Sequence, residues 1–354
     1  MNPILLDRNE NQYGPAPACY EVLRKANLEH LGLYSREYLK GRKGELSSRL
    51  SEDFGIPEER VLLSYGSEDM LKQVVHCYLQ PGKTLLLPRQ SWWYYKSVAA
   101  EVFGRTVEYS LRPHEGVFVY DPEEIADLYD AHQPQVILLA SPNNPTGNSI
   151  PPDTLNNLVR HCSAAVVILD QAYAGFSGEA PSHVRDVLDT HERLIVLRTF
   201  SKYYALAGLR IGYACAAGGL TQLIAYSSRY LGYNRLSEKI ALAALDDDEY
   251  YTAISRAMNE DKRLYYAQFR SMKGFTPFLS DANFLLVGYP QYYRGVLQRE
   301  FDRRNIVVKF FDDPVMRGFL RVTIGTRDQN EFVRSSLADI AEQHLSSIPF
   351  LAKE

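Results

Sequence analysis

The 354-residue sequence predicts an α/β fold: a large unit with a mostly parallel sheet between helices, plus a smaller α+β unit. Three observations carry this. Short, continuously apolar runs alternate with helical patterns through the middle of the chain, which implies a parallel sheet covered on both faces. After about residue 235 the pattern changes to one long polar helix followed by strand-like pieces, as in α+β units. The composition, 45% hydrophobic and 23% charged, allows a sizeable core and argues against disorder.

Along the chain, Leu85–Leu87, Val136–Leu139, Val166–Leu169 and Leu194–Leu197 are short apolar runs that read as buried strands. Between them, Glu68–Leu79 and Pro152–Cys162 show helical spacing, with Asp153 expected to help cap the second. Asp248–Arg270 carries Tyr251, Ile254, Met258 and Tyr265 at helical intervals and is long enough to join the two units. Phe284–Val287, Ile306–Val308 and Leu320–Ile324 read as strands of the smaller unit. No Pro/Gly/Ser linker and no repeat divides the chain.

Bulk properties narrow the function. The net charge of −4 gives no basic surface for nucleic acid or membrane. The first residues, Met1–Asp7, lack the basic and long apolar regions of a leader, and no run is long enough to span a membrane. Cys19, Cys77, Cys162 and Cys215 are scattered, with neither a disulfide framework nor a metal pair, which fits the cytoplasm. The 25 tyrosines suit packing and interfaces or substrate contacts.

Chemistry-bearing residues gather at strand ends. Ser141-Pro142-Asn143-Asn144-Pro145-Thr146-Gly147 comes directly after the Val136–Ala140 strand; it is a rigid turn by composition, placed where open α/β sheets bind ligands. Asp170 ends the next strand, either as a cap or as a site carboxylate, with Tyr173 three residues on. The third strand runs into Arg198-Thr199-Phe200-Ser201-Lys202, and Gly208-Leu209-Arg210 lies just beyond. Gly66-Ser67-Glu68-Asp69 opens a helix, an ordinary start or a phosphate site. Ser91-Trp92-Trp93-Tyr94-Tyr95 offers aromatic rings for packing or for stacking on a ligand.

Together these supply what pyridoxal 5'-phosphate requires. Lys202 offers an amine for its aldehyde, Asp170 a carboxylate for the ring nitrogen, and Asn144 and Tyr173 donors for the 3'-oxygen. Thr199, Ser201 and Arg210 suit the phosphate.

Leu6-Asp7-Arg8-Asn9-Glu10-Asn11-Gln12-Tyr13-Gly14-Pro15, the Ser141–Gly147 turn, Asp170–Tyr173, Arg198–Lys202, Ala207–Arg210 and Leu320–Thr326 resemble class I/II aminotransferases of fold type I. Within that group the likeness is to the histidinol-phosphate aminotransferases and their paralogues, over nearly the whole chain. The resemblance implies a transferase with a cofactor-binding domain over residues 31–235 and a small domain of residues 1–30 and 236–354. It makes Lys202 the Schiff-base lysine and general base, and Asp170 and Tyr173 its catalytic partners. It adds the main-chain N–H groups of Ser67 and Glu68 to the phosphate site. It sends Tyr38 across the interface of a homodimer to a cofactor phosphate. Arg321 would bind an anionic group of the amino donor, Tyr13 would add a hydroxyl, and a 2-oxo acid would accept the amino group.

Four departures stand near that site. Ser91-Trp92-Trp93 replaces the family's Pro-Thr-Tyr, so Trp93 is expected to stack on the ring; Glu37-Tyr38-Leu39 replaces Arg-Tyr-Pro. Gln171 replaces Glu, and Lys309 stands where a second substrate-side arginine is usual. They leave an aromatic or other amino acid as an alternative donor, and a decarboxylase or amine-oxidising paralogue as an alternative reaction. A cofactor-binding regulator would need an added DNA-binding domain with a basic helix, for which the sequence shows no sign.

Overall fold

The computed structural model describes residues 2–27, 32–177, 182–228 and 232–345. Its strands, in chain order, are β1 (Ile4–Leu6), β2 (Val61–Ser64), β3 (Thr84–Pro88), β4 (Arg105–Tyr109), β5 (Leu111–His114), β6 (Val117–Tyr120), β7 (Val136–Ala140), β8 (Val166–Asp170), β9 (Leu194–Thr199), β10 (Gly212–Ala216), β11 (Thr276–Phe278), β12 (Phe284–Gly288), β13 (Ile306–Phe310) and β14 (Phe319–Thr323).

The larger sheet has the order β2-β10-β9-β8-β7-β3-β4. Strands β4, β3, β7, β8 and β9 are parallel, as the apolar runs imply. Strand β10 is antiparallel to both neighbours. Its sequence, Gly-Tyr-Ala-Cys-Ala, lacks the β-branched residues that mark a strand, so it was not legible as one. Alternation along each strand feeds two cores: Val167 and Leu169 enter one, Val166 and Ile168 the other. That is why these strands are apolar on both faces.

The smaller sheet has the order β1-β13-β14-β12-β11. Strand β1 lies parallel on β13, pairing Ile4 with Ile306, so the start of the chain is built into the C-terminal sheet. The 24-residue helix Asp248–Ser271 links the two cores: Tyr251 packs in the large one, and Ile254, Met258, Tyr265 and Phe269 pack under the small sheet. The last long helix, Arg327–Ile340, opens with a capping box between Thr326 and Gln329. Asp153 makes no cap: Pro151 occupies that position, and Asp153 lies in the first turn, where its charge still meets the helix dipole. Among the described residues no helix is long and apolar enough to cross a membrane, and no cluster suits a metal ion.

Candidate active site

Strands β7, β8 and β9 end side by side at Ala140, Asp170 and Thr199, the ends at which open parallel sheets hold ligands. The strand ends and the turns that leave them supply the polar groups.

The turn after β7 is buried and internally bonded. Asn143 Nδ2 donates to the Gln90 carbonyl at 2.7 Å and to Thr146 Oγ1 at 2.6 Å. That network presents Asn144, whose Oδ1 accepts from Arg321 Nη1. With its oxygen engaged, the Asn144 amide offers N–H donors to a ligand.

Asp170 is buried, and burial raises its carboxyl above the usual carboxylate range. Two donors work against that rise: Tyr95 O–H at 2.8 Å on Oδ2 and Ala172 N–H at 2.9 Å on Oδ1. The result is a fixed acid group able to hold a proton on a basic ring nitrogen. Tyr173 lies beside it; its hydroxyl accepts from Asn9 Nδ2 at 2.8 Å, which leaves its own proton to donate.

Lys202 Nζ stands 5.7 Å from the centre of the Tyr173 ring and donates to the Arg8 carbonyl at 2.8 Å. Burial, then the charge of Arg321, lowers its pKa to about 8, so a useful fraction is a neutral nucleophile near neutrality.

A second group forms an anion cradle. Gly66 takes φ 91° and precedes the helix Ser67–Tyr78, with no side-chain cap. Arg210 reaches Ser201 Oγ at 3.5 Å and the Tyr65 carbonyl at 3.4 Å, and Thr199 Oγ1 donates to Ser201 Oγ at 2.9 Å. The Glu68 carboxylate lies 3.5 Å from Arg210 as an exposed pair, worth little and easily displaced. Two glycines keep the cradle open. A Cβ at Gly66 would lie 2.8 Å from Arg210 Nη2, and one at Gly212 would lie 2.7 Å from Ser67 N. Free N–H groups, a helix N-terminus and a guanidinium suit a phosphate.

Arg321 sits on β14 among apolar neighbours and is buried. Its Nη2 donates to the Asp7 carbonyl, while its Nε has no partner among the described residues. A buried guanidinium held only by neutral acceptors is costly unless an anion completes it.

The sequence-derived residues thus fall into two linked groups. Ser67, Glu68, Thr199, Ser201 and Arg210 line the cradle; Asn144, Asp170, Tyr173, Lys202 and Arg321 surround the position beside it. Four others stand apart. Trp93 is exposed beside Trp92, and Tyr38 is exposed on the turn Glu37–Lys40. Lys309 is the register partner of Arg321 but is exposed, with Nζ 6.0 Å above the Phe311 ring. The Tyr13 hydroxyl faces Arg327 and Asp261, and burial raises its pKa.

Sequence reasoning missed Tyr95, Asn9 and the carbonyls of Asp7 and Arg8. Tyr95 was visible only as one ring in an aromatic run, and a backbone carbonyl leaves no residue-type signal.

Residues 2–337 match the family described as aminotransferase class I and II. The chain belongs to that family. It is 29% identical over 336 residues to histidinol-phosphate aminotransferase of Ruminiclostridium cellulolyticum, covering 94% of this chain and 91% of that protein. It is 31% identical over 344 residues to the protein of that name from Roseiflexus castenholzii, covering 96% and 90%. The fold matches the crystal structure of histidinol-phosphate aminotransferase from Sinorhizobium meliloti in complex with pyridoxal-5'-phosphate, with TM-score 0.83, 21% identity and coverage of 96% and 92%. This aminotransferase uses pyridoxal 5'-phosphate, and the residues present fit it: the cradle that two glycines hold open suits the phosphate, and buried Asp170 suits the ring nitrogen.

Proposed function

We propose that this aminotransferase takes its amino group from a phosphate-bearing primary amine, histidinol phosphate first, and passes it to a 2-oxo acid. It does so as a homodimer in the cytoplasm. The observation that carries the substrate reading is Arg321, buried on β14, whose Nε has no partner among the described residues. A buried guanidinium with an open donor edge suits an anionic group such as a phosphate. The names of the relatives found at about 30% identity support the same reading.

The bound cofactor supplies a carbonyl that captures the amine and a ring that accepts the electron pair released at the substrate α-carbon. The chain supplies the rest. Lys202 Nζ would hold the cofactor and, once freed, would take up and give back the substrate α-carbon proton. Asp170 keeps the ring nitrogen protonated. Asn144 and Tyr173 fix the 3'-oxygen, with Asn9 orienting the Tyr173 hydroxyl. Ser67 and Glu68 N–H, Thr199, Ser201 and Arg210 anchor the phosphate, and Tyr38 of the second subunit completes that anchor.

The test is a panel of amino donors, scored by loss of the visible absorbance of the cofactor bound to lysine. Histidinol phosphate should act faster than phenylalanine or tyrosine. Faster reaction with an aromatic amino acid would overturn the substrate and leave the aminotransferase. That second reading has its own support: Lys309 points into solvent beside Phe311, and aromatic side chains crowd residues 92–95.

A further inference from the structure

We propose that a cavity behind the catalytic groups is a second ligand site, for a small zwitterionic amino acid with an aromatic side chain. The cavity, about 530 Å³, lies between the ends of β8 and β9 and one face of the helix Asp248–Ser271. Its volume falls among those of small-molecule sites, ~300–1,000 Å³. It is lined by Gln171, next in sequence to Asp170, by Arg198 and Thr199, the latter also part of the cradle, and by Tyr203, next to Lys202; Asp170 and Lys202 themselves do not line it.

One wall is the polar face of a helix. Asp248, Thr252, Ser255, Arg256 and Asn259 recur at helical spacing and all line the cavity. Asp248 and Arg256 are exposed at the mouth of the cavity, Thr252 and Asn259 are half-buried, and Ser255 is buried. Here the apolar stripe (Tyr251, Ile254, Met258) packs elsewhere, and the polar stripe faces the cavity.

The opposite wall holds a cation with no counterion among the described residues. Arg198 is half-buried, 5.4 Å from the Phe54 ring centre, and its Nε and Nη2 donate to Gln171 Oε1 at 3.0 and 2.7 Å. That acceptor is a neutral amide. Among the described residues no carboxylate lies within ion-pair distance of Arg198, and none of the cations there pairs with Asp248. Partial burial of an unpaired guanidinium is unfavourable, and its Nη1 edge can take a carboxylate. Asp248, on the helix wall, matches an ammonium group.

The remaining lining is aromatic. Phe176, Tyr203, Tyr204 and Tyr213 are present, with Phe176 and Tyr203 edge to face at 5.3 Å. Gly175 takes φ +99°, and a Cβ there would lie 2.8 Å from the Tyr203 ring, so glycine lets that ring stand against the backbone. The α-carboxylate of the ligand pairs with Arg198, its ammonium with Asp248, and its ring packs among the tyrosines.

The experiment uses the cofactor-loaded enzyme reduced with borohydride, so that the probe cannot be consumed, and L-phenylalanine as probe in equilibrium dialysis. Saturable binding should persist in Arg321→Ala, which disables the catalytic site. It should weaken at least about tenfold in Gln171→Glu, where the new carboxylate satisfies Arg198 and repels the probe. Phenethylamine and 3-phenylpropanoate, each lacking one charge, should bind more weakly than phenylalanine. Unchanged cofactor content and melting temperature establish that Gln171→Glu is folded; if it is not, Arg256→Gln on the exposed rim should weaken binding several-fold. Binding that vanishes with Arg321→Ala, that ignores both cavity variants, or that is absent from the start overturns the site.

Discussion

Single residues set the reactivity of the site, and Tyr95 is the one whose role is most open to measurement. Its hydroxyl opposes the upward push of burial on Asp170. Tyr95→Phe removes that opposition, so the carboxyl pKa rises further and the neutral form persists to higher pH. The acidic limb of the kcat profile should therefore move up in pH, with a loss of about tenfold near neutrality. An unmoved profile would make Tyr95 a packing residue. Asp170→Asn removes the charge itself, and a few kcal/mol of charge-assisted bonding predicts a loss of about a hundredfold or more. Lys202 gives a second pH signature. Only its neutral form captures the cofactor, so capture by the cofactor-free enzyme should accelerate as pH rises and level off above about 8. Arg321 holds that value down in part, so Arg321→Ala should shift the midpoint upward. A midpoint that stays put would show that burial alone sets it. Lys202→Ala should abolish capture, and mass spectrometry after borohydride treatment should place the cofactor on Lys202 in the parent enzyme.

Elements determine where these residues meet. The cradle depends on strand β10 approaching the start of the helix Ser67–Tyr78 more closely than any side chain allows. Gly212→Ala puts a methyl 2.7 Å from Ser67 N, and such crowding costs about 1–3 kcal/mol. Both melting temperature and cofactor affinity should fall. Thr326→Ala, which breaks a cap of comparable worth, about 1 kcal/mol, should lower only the first. Equal loss of affinity in both variants would mean that the cradle does not depend on Gly212. The same element shows what sequence can convey. Strands β3, β7, β8 and β9 were legible because burial on both faces demands unbroken apolar runs, and their ends located Asp170 and Thr199. Strand β10 was not, because its small residues answer to a neighbour distant in sequence. The Asn9–Tyr173 and Tyr95–Asp170 hydrogen bonds were illegible for the same reason: each joins segments at least 75 residues apart.

At the scale of the molecule, large apolar side chains remain on the surface. Leu33, Tyr34, Leu39, Trp93 and Tyr226 are all more than half exposed, and Tyr38 lies among the first three in sequence. Where such groups form a contiguous patch they mark an association surface. On the proposed homodimer, sedimentation should give a two-fold species. Tyr38→Ala should keep that species while reducing cofactor affinity by about tenfold, the effect of one lost phosphate hydrogen bond to a charged group. A monomer with full cofactor content would exclude the shared site.

The opening segment of the chain has a consequence for the order of folding. Asp7 and Arg8 hold Arg321 and Lys202 through their carbonyls, Asn9 holds Tyr173, and β1 rests on β13. These residues are therefore anchored by a strand made much later, a separation of 314 residues between Asp7 and Arg321. The larger sheet can assemble while the ribosome is still working, but residues 4–9 must wait for β13 and β14. A growing chain can thus acquire its scaffold early and its competence only once β13 and β14 have emerged, so a product released before them would carry Lys202 without the setting that makes it reactive.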